Sequence, residues 1–232
     1  LYIISGLYIE ALDILTMINR DELTDTLLIN YYDSYKQLYR SYSFNNPNAP
    51  VYTEKSSLYR DSLLSALNKE SNHYKIVFAE KLFDENRLAE SKQLLQELIN
   101  QSEEEDHAKA VLTYALANIF RKEGDVNKQT IYYAISAICD IKNAIMENAS
   151  MQALAVTLFE MGNIEEAYEC IKSSMEDAMF CNARLRTYEI SQILPIIDSA
   201  YQERVRDQKS ELQLFLFLVS LLSLFLIIAV IY

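Results

Sequence analysis

Apolar and small side chains recur along the chain with a period of about 38 residues. In each period two adjacent positions are followed by a third position three residues later. This i, i+1, i+4 spacing places the three side chains on one face of a helix. The pattern predicts antiparallel helix pairs that stack, because a single pair cannot bury its apolar face. The positions are Leu38, Tyr39 and Tyr42, then Phe78, Ala79 and Leu82, then Leu116, Ala117 and Phe120, then Leu154, Ala155 and Leu158.

Residues that tolerate a left-handed backbone follow each of these helical patterns. Gly124 and Gly162 are 38 residues apart, and Asn86 stands one period before Gly124. Glycine and asparagine adopt positive φ values more readily than other residues, which suits the end of one helix and the start of the next. We therefore expect repeat turns at Gly6, Asn46, Asn86, Gly124 and Gly162. Predicted helix pairs occupy 22–69, 72–100, 108–143 and 148–181, after a helix that ends near Ile18 and before one that starts near Arg184.

The chain closes on an apolar run. No charged residue occurs from Leu214 to Tyr232, a stretch of 19 positions. As a helix this run is about 28 Å long, close to the ~30 Å hydrocarbon thickness of a bilayer. A buried helix of a soluble protein is the alternative, but such a helix usually keeps a polar edge. The run predicts one transmembrane helix over 212–232, which would contact the lipid bilayer.

The segment 184–211 before this run differs from the rest of the chain in charge. It has five basic and five acidic residues, so residues 1–183 carry the whole net charge of −12. We expect three parts: a helical-repeat domain over 1–183, a juxtamembrane helix over 184–211 and the span over 212–232. Pro195 removes a helical hydrogen bond and bends the axis. It serves either as a bend that fits the helix onto the last repeat or as a hinge.

Composition narrows the fold class and the partners. The 232 residues include only three glycines and three prolines, against roughly 12% for the two together in ordinary globular chains. A sandwich, a barrel or a Rossmann-type fold needs more turn residues than this, so we expect an all-α protein. A net charge of −12 repels phosphate backbones, which argues against direct nucleic-acid contact.

The residues that carry chemistry are few and scattered. Cys139, Cys170 and Cys181 have neither a paired disulfide spacing nor a CxxC metal spacing. The acidic run over 103–106 is expected to be a solvated linker, since carboxylates adjacent in sequence do not converge on one ion. The chain has two histidines and no glycine-rich phosphate loop. We expect no catalytic residue, no metal site and no cofactor.

Two segments resemble the tetratricopeptide repeat (TPR). They are Leu116-Ala117-(x2)-Phe120-(x3)-Gly124-Asp125-Val126 and Leu154-Ala155-(x2)-Leu158-(x3)-Gly162-Asn163-Ile164-(x2)-Ala167. The period is 38–40 residues rather than 34, and Ser91 and Gln129 replace the alanine that Ala167 keeps. The resemblance implies a groove along the first helix of each pair, here with Tyr114, Asn118, Arg121, Lys122, Gln152, Phe159 and Glu160. An ordinary solvated helix face is the alternative.

The tract from Ile197 to Leu212, which runs directly into the apolar segment, is similar to that of bacterial membrane-anchored TPR regulators. That resemblance implies periplasmic repeats that bind a peptide or protein and signal across one span to an output domain, often a transcriptional regulator. Two alternatives stay open: a tail-anchored scaffold with cytosolic repeats, and a membrane-anchored assembly factor. The sequence fixes neither the side of the membrane nor homodimerisation.

Tyrosines are concentrated near the start of the chain, with nine of seventeen in residues 1–59. Tyr35, Tyr39 and Tyr42 share one helical face. Packing between helices accounts for most of them, and a recognition stripe is the alternative.

Overall fold

The computed structural model describes residues 2–3, 5–46, 48–102, 107–146 and 149–231, and all regular structure in these ranges is helical. This confirms the all-α prediction. The described residues form ten α-helices and a short 3₁₀ helix at Arg20–Glu22. The α-helices are α1 (Tyr8–Thr16), α2 (Asp25–Asn45), α3 (Pro50–Ala66), α4 (Asn72–Asp84), α5 (Leu88–Gln101), α6 (His107–Glu123), α7 (Val126–Lys142), α8 (Ala149–Glu160), α9 (Ile164–Phe180) and α10 (Arg184–Ile231).

Every α-helix packs against the next one along the chain. The pairs α2–α3, α4–α5, α6–α7 and α8–α9 coincide with the four predicted pairs. The first helices of successive pairs also touch, α4 with α6 and α8 with α10. The predicted helical-repeat solenoid is therefore confirmed. At its end, α10 takes the position of the first helix of a further pair.

Small residues allow the paired helices to approach closely. Ala79, Ala117 and Ala155 occupy equivalent positions on α4, α6 and α8, and all three are buried. Around them lie successive apolar clusters, such as the one that joins Leu95 of α5 to Leu116 of α6. The core thus runs continuously from pair to pair, as a stacked array requires.

The turns follow the predicted positions with one difference in conformation. Gly6, Gly124 and Gly162 have φ values of 74°, 78° and 83°, and Asn86 has a φ of 62°. Asn46 also follows the end of its helix, α2, but with a φ of −136°, outside the left-handed region that asparagine tolerates. Its side chain instead donates a hydrogen bond to the Tyr42 carbonyl at 3.0 Å, which satisfies the end of the helix without a positive φ. The acidic run over 103–106 lies outside the described residues.

The tyrosine cluster packs the first three helices together. Tyr35 stacks on Tyr59 of α3 with ring centroids 4.5 Å apart, and Tyr42 contacts Tyr52 and Tyr8. Tyr35 and Tyr39 are buried. Burial raises the pKa of the Tyr35 hydroxyl well above its usual range. These side chains form a packed core, which favours the packing interpretation over a recognition stripe.

Helix α10 is a single helix of 48 residues. Its first part lies along α9, where Ile190 and Ile197 are fully buried in a cluster with Ile171. The packing continues on both sides of Pro195. Among the described residues, α10 is the one helix long and apolar enough to cross a membrane, and its apolar part is not covered by the repeats.

Candidate functional site

Tyr133 of α7 gathers three of the predicted groove residues. Its hydroxyl donates to Oδ1 of Asn118 at 2.7 Å, and its ring lies 5.5 Å from the ring of Tyr114. Burial and the neighbouring Tyr114 raise the pKa of Tyr133 to about 12, and the nearby Arg121 guanidinium lowers it in part. Tyr114, Asn118, Arg121 and Tyr133 therefore form one polar cluster, which we call the Tyr133 cluster.

Lys122 is adjacent to Arg121 in sequence but faces the preceding pair. Its Nζ atom lies 4.7 Å from the ring centroid of Phe83 on α4 and 3.3 Å from the Phe83 carbonyl oxygen. Cation–π contacts of this kind contribute about 0.5–1 kcal/mol at exposed sites. Lys122 thus ties α6 to α4 and lies apart from the Tyr133 cluster.

The three predicted groove residues of α8 have different environments. Oε1 of Gln152 accepts a hydrogen bond from Arg186 of α10 at 2.9 Å, and Arg186 also pairs with Glu189 at 2.6 Å. Phe159 is half-buried against the α9–α10 core. Glu160 is exposed at the end of α8, and its charge raises the pKa of Tyr133 slightly, so it lies near the Tyr133 cluster.

Ion pairs link the first helix pair, α2–α3, to α4. Nζ of Lys36 and a guanidinium nitrogen of Arg40, both on α2, lie 3.1 Å and 3.2 Å from Glu80 of α4. Arg60 of α3 is buried and pairs with Asp84, the last residue of α4. The carboxylates of Glu80 and Asp84 are therefore already matched by cations of the neighbouring pair.

The predicted groove residues around Tyr133 are hydrogen-bonding groups of different kinds. An amide, a phenol, a guanidinium and a carboxylate lie near one another around Tyr133, a set that suits the polar groups of an extended peptide. Within the described ranges, no three His, Cys, Asp or Glu side chains converge on a point that suits a metal ion. Nδ1 of His107 lies 3.5 Å from Oδ1 of Asp140, away from the Tyr133 cluster.

Comparison with known protein families matches residues 1–192 to the SusR N-terminal TPR domain. The chain belongs to this family. The match covers all the helix pairs and the start of α10, so the predicted TPR resemblance is confirmed. TPR domains are typically non-catalytic modules for protein–protein interaction. A comparison with curated proteins finds no match.

The sequence analysis did not include Tyr133 and Arg186, which form hydrogen bonds with two of the predicted groove residues, Asn118 and Gln152. Tyr133 lies on a second helix, where a large residue is ordinarily read as packing alone. Arg186 lies in the predicted juxtamembrane helix and not in a groove position. The one available indication in the sequence is that each residue carries a polar group on a helix face that has to pack. Their partners, however, are 15 and 34 residues away, and no local pattern identifies them.

Proposed function

We propose that this chain is the binding segment of a membrane-anchored regulatory protein without catalytic activity. A peptide or protein segment binds along α4, α6 and α8, and the Tyr133 cluster supplies the polar contacts. The apolar run over 212–232 anchors the repeats, and α10 carries the occupancy of the groove across the bilayer. The repeats face the periplasm in this proposal, as in the bacterial regulators that the tract over 197–212 resembles.

The observation that carries this proposal is the hydrogen bond between Gln152 and Arg186. Gln152 lies in the groove, and Arg186 belongs to the helix that continues into the apolar run. A ligand that displaces the Gln152 amide therefore changes a contact of α10 directly. Conformational coupling needs such a differential contact between the bound and the free state. The family description places the TPR domain at the N-terminal part of SusR, which fits a part that receives a signal.

The membrane topology separates this proposal from a tail-anchored scaffold. Cys181 is exposed, whereas burial raises the pKa of the Cys139 and Cys170 thiols and lowers their thiolate fraction. A membrane-impermeant maleimide should label Cys181 in spheroplasts that express the full chain, and Cys181→Ser should abolish the rapid labelling. Labelling only after lysis would place the repeats in the cytosol and exclude the receptor topology.

Binding in the groove is tested by crosslinking in the same cells. A photoreactive phenylalanine analogue at Tyr114 should form a crosslinked adduct of defined mass. The same analogue at Gln93, exposed on α5 outside the groove, should not. Adding Arg121→Glu should reduce the Tyr114 adduct several-fold. Lys122→Glu should reduce it less, because Lys122 contacts Phe83 instead. Equal adducts from positions 114 and 93 would reject the groove as the binding surface.

A further inference from the structure

The turn between α8 and α9, residues 161–163, lies close to the point where α10 becomes apolar. We infer that this turn rests in the lipid headgroup layer of the bilayer that α10 enters. The inference rests on the proposed membrane anchoring and adds a second contact with lipid. The repeat domain would then sit directly on the membrane surface and not at the end of a stalk.

Helices α9 and α10 run antiparallel, and two contacts define their register. Tyr168 stacks on Tyr201 with ring centroids 4.1 Å apart and an interplanar angle of 1°. One turn further along, Oε1 of Glu165 is 3.3 Å from Nε of Arg204 and 3.4 Å from Nε2 of Gln208. The start of α9 is therefore level with residues 204–208 of α10.

The start of α9 lies a short distance from the apolar run of α10. Leu214 follows Gln208 by six residues, a rise of about 9 Å along a helix. No proline or glycine interrupts the helix after Pro195, so this distance is fixed. The turn over 161–163 precedes Glu165 and extends toward the same end of α10. Counted from residues 204–208, it thus lies roughly 5–10 Å from the level of Leu214 and roughly 2–8 Å from that of Leu212, where the predicted span begins, given a rise of ~1.5 Å per residue.

This distance is similar to the thickness of the headgroup layer of a bilayer. A bilayer is about 40–45 Å thick with headgroups and about 30 Å without them, which leaves roughly 5–8 Å of headgroup layer on each side. Packed helices lie about 8–10 Å apart. An average tilt of about 20° therefore shifts the turn by only about 3 Å. Without tilt the turn therefore falls within the headgroup layer next to Leu212, and a tilt of this size leaves it in or directly beside that layer.

The side chains of the turn are compatible with that location. Met161 is 42% exposed and presents an apolar side chain at the tip. Asn163 is exposed and makes no capping hydrogen bond with its side chain. The C-terminal ends of α6 and α8, with Arg121 and Glu160, face the same side of the repeat array. The bilayer would therefore border one end of the Tyr133 cluster.

The test measures how deep single residues lie in the bilayer. An environment-sensitive fluorophore is attached to single exposed thiols of the full chain, and the chain is reconstituted in phosphatidylcholine–phosphatidylglycerol vesicles. The membrane-proximal position is Asn163→Cys in a Cys181→Ser background. The native Cys181 is the distal control, since it lies at the other end of α9, about 24 Å away. Phe217→Cys in the same background reports on the span. The Cys181→Ser chain with no added cysteine measures the background labelling of the two less accessible thiols, Cys139 and Cys170.

Lipids with a nitroxide on the headgroup should quench the fluorophore at position 163 at least about twofold more than at Cys181, given that ~24 Å difference in height. Lipids with a nitroxide on the acyl chain should quench position 217. If position 217 is quenched while position 163 behaves like Cys181, the chain is anchored and the inference is wrong. If position 217 is not quenched, the proposed anchoring is wrong and the inference fails with it.

An insertion into α10 tests the same contact independently. Seven additional helical residues after Ser210 raise the repeats by about 10 Å and turn them by only about 20°, so the same face of α10 is kept. Headgroup quenching at position 163 should fall to the Cys181 level, and quenching at position 217 should not change. Persistent quenching at position 163 would overturn the inferred contact.

Discussion

Single turn residues differ in how well their side chains suit a left-handed backbone. Gly124 has a φ of 78°, and a Cβ added there would meet no atom within 4 Å. Ala144 also has a positive φ, 55°, but carries a Cβ. A left-handed conformation costs an L-residue about 1–2 kcal/mol, whereas glycine adopts it freely. The two positions should therefore respond in opposite directions to exchange of glycine and alanine.

We predict that Gly124→Ala lowers the free energy of unfolding by about 1–2 kcal/mol, the cost of the left-handed backbone alone. Ala144→Gly should raise it by about 0.5 kcal/mol, because relief of strain exceeds the added entropy of the unfolded chain. Chemical unfolding of the detergent-solubilised chain, followed by far-UV circular dichroism, checks both. A loss of stability on Ala144→Gly would contradict the strain argument.

Two departures from the TPR pattern are explained by buried hydrogen bonds. Ser91 donates to the Ala79 carbonyl at 2.8 Å, and Nε2 of Gln129 donates to Oγ1 of Thr157 at 2.8 Å. All of these groups are buried. The sequence shows that the usual alanine is absent at both positions. It does not show the partners, since Thr157 is 28 residues from Gln129 and belongs to the next pair.

We predict that Thr157→Val lowers the free energy of unfolding by about 1–3 kcal/mol, because it leaves the buried Gln129 amide without its acceptor. Thr157→Ser keeps the hydroxyl and should lose clearly less. The same unfolding measurement compares the two. Equal losses would mean that the methyl group and not the hydrogen bond stabilises this interface.

At the scale of helices, the pairs were predictable because their signals are local. In each pair, the apolar face of the first helix is followed a few positions later by a turn residue, as Leu116 is by Gly124. The contacts between pairs were not predictable in this way. Lys36 and Glu80 are 44 residues apart, and nothing near either of them in sequence indicates the other. Their ion pair depends on the angle at which α4 meets α2, which is set by packing.

We predict that Glu80→Gln destabilises the contact between the first two pairs by about 1–3 kcal/mol, since it removes a partner of the buried Lys36 ammonium. Hydrogen exchange should rise in α2 and α3 while α6 to α9 keep their protection, because each pair of a solenoid contacts only its neighbours. Glu90→Gln breaks an exposed pair with Arg87 and serves as the control. A uniform rise along the chain would show that the array unfolds as one unit.

For the whole molecule, the decisive question is where the folded repeats end along α10. The apolar run over 212–232 was readable from composition alone. The packing of the helix before it was not, because buried Ile190 and Ile197 stand in the same apolar stretch as Ile196, which is exposed, and composition does not show which of these side chains face α9. In the structure Ile190 and Ile197 complete the last cluster with α9. The same helix therefore closes the solenoid and continues into the candidate span.

Two truncations test this dual role. A chain that ends at Glu211 keeps the contacts of Tyr201, Arg204 and Gln208 with α9 and loses only the uncovered apolar part. We predict that it leaves the membrane fraction and unfolds at the same denaturant concentration as the detergent-solubilised full chain.

A chain that ends at Pro195 loses Ile197, which is fully buried, and the stacked Tyr201. Burial of one such aliphatic side chain contributes about 1.5–3 kcal/mol, so this chain should unfold at a clearly lower denaturant concentration, with the largest rise in hydrogen exchange in α9. The boundary of the matched family segment, residue 192, would by itself suggest that this truncation is tolerated. Equal stability of the two chains would show that the repeats end before Ile197. A groove-to-membrane signal would then have to pass through the first three turns of α10 alone.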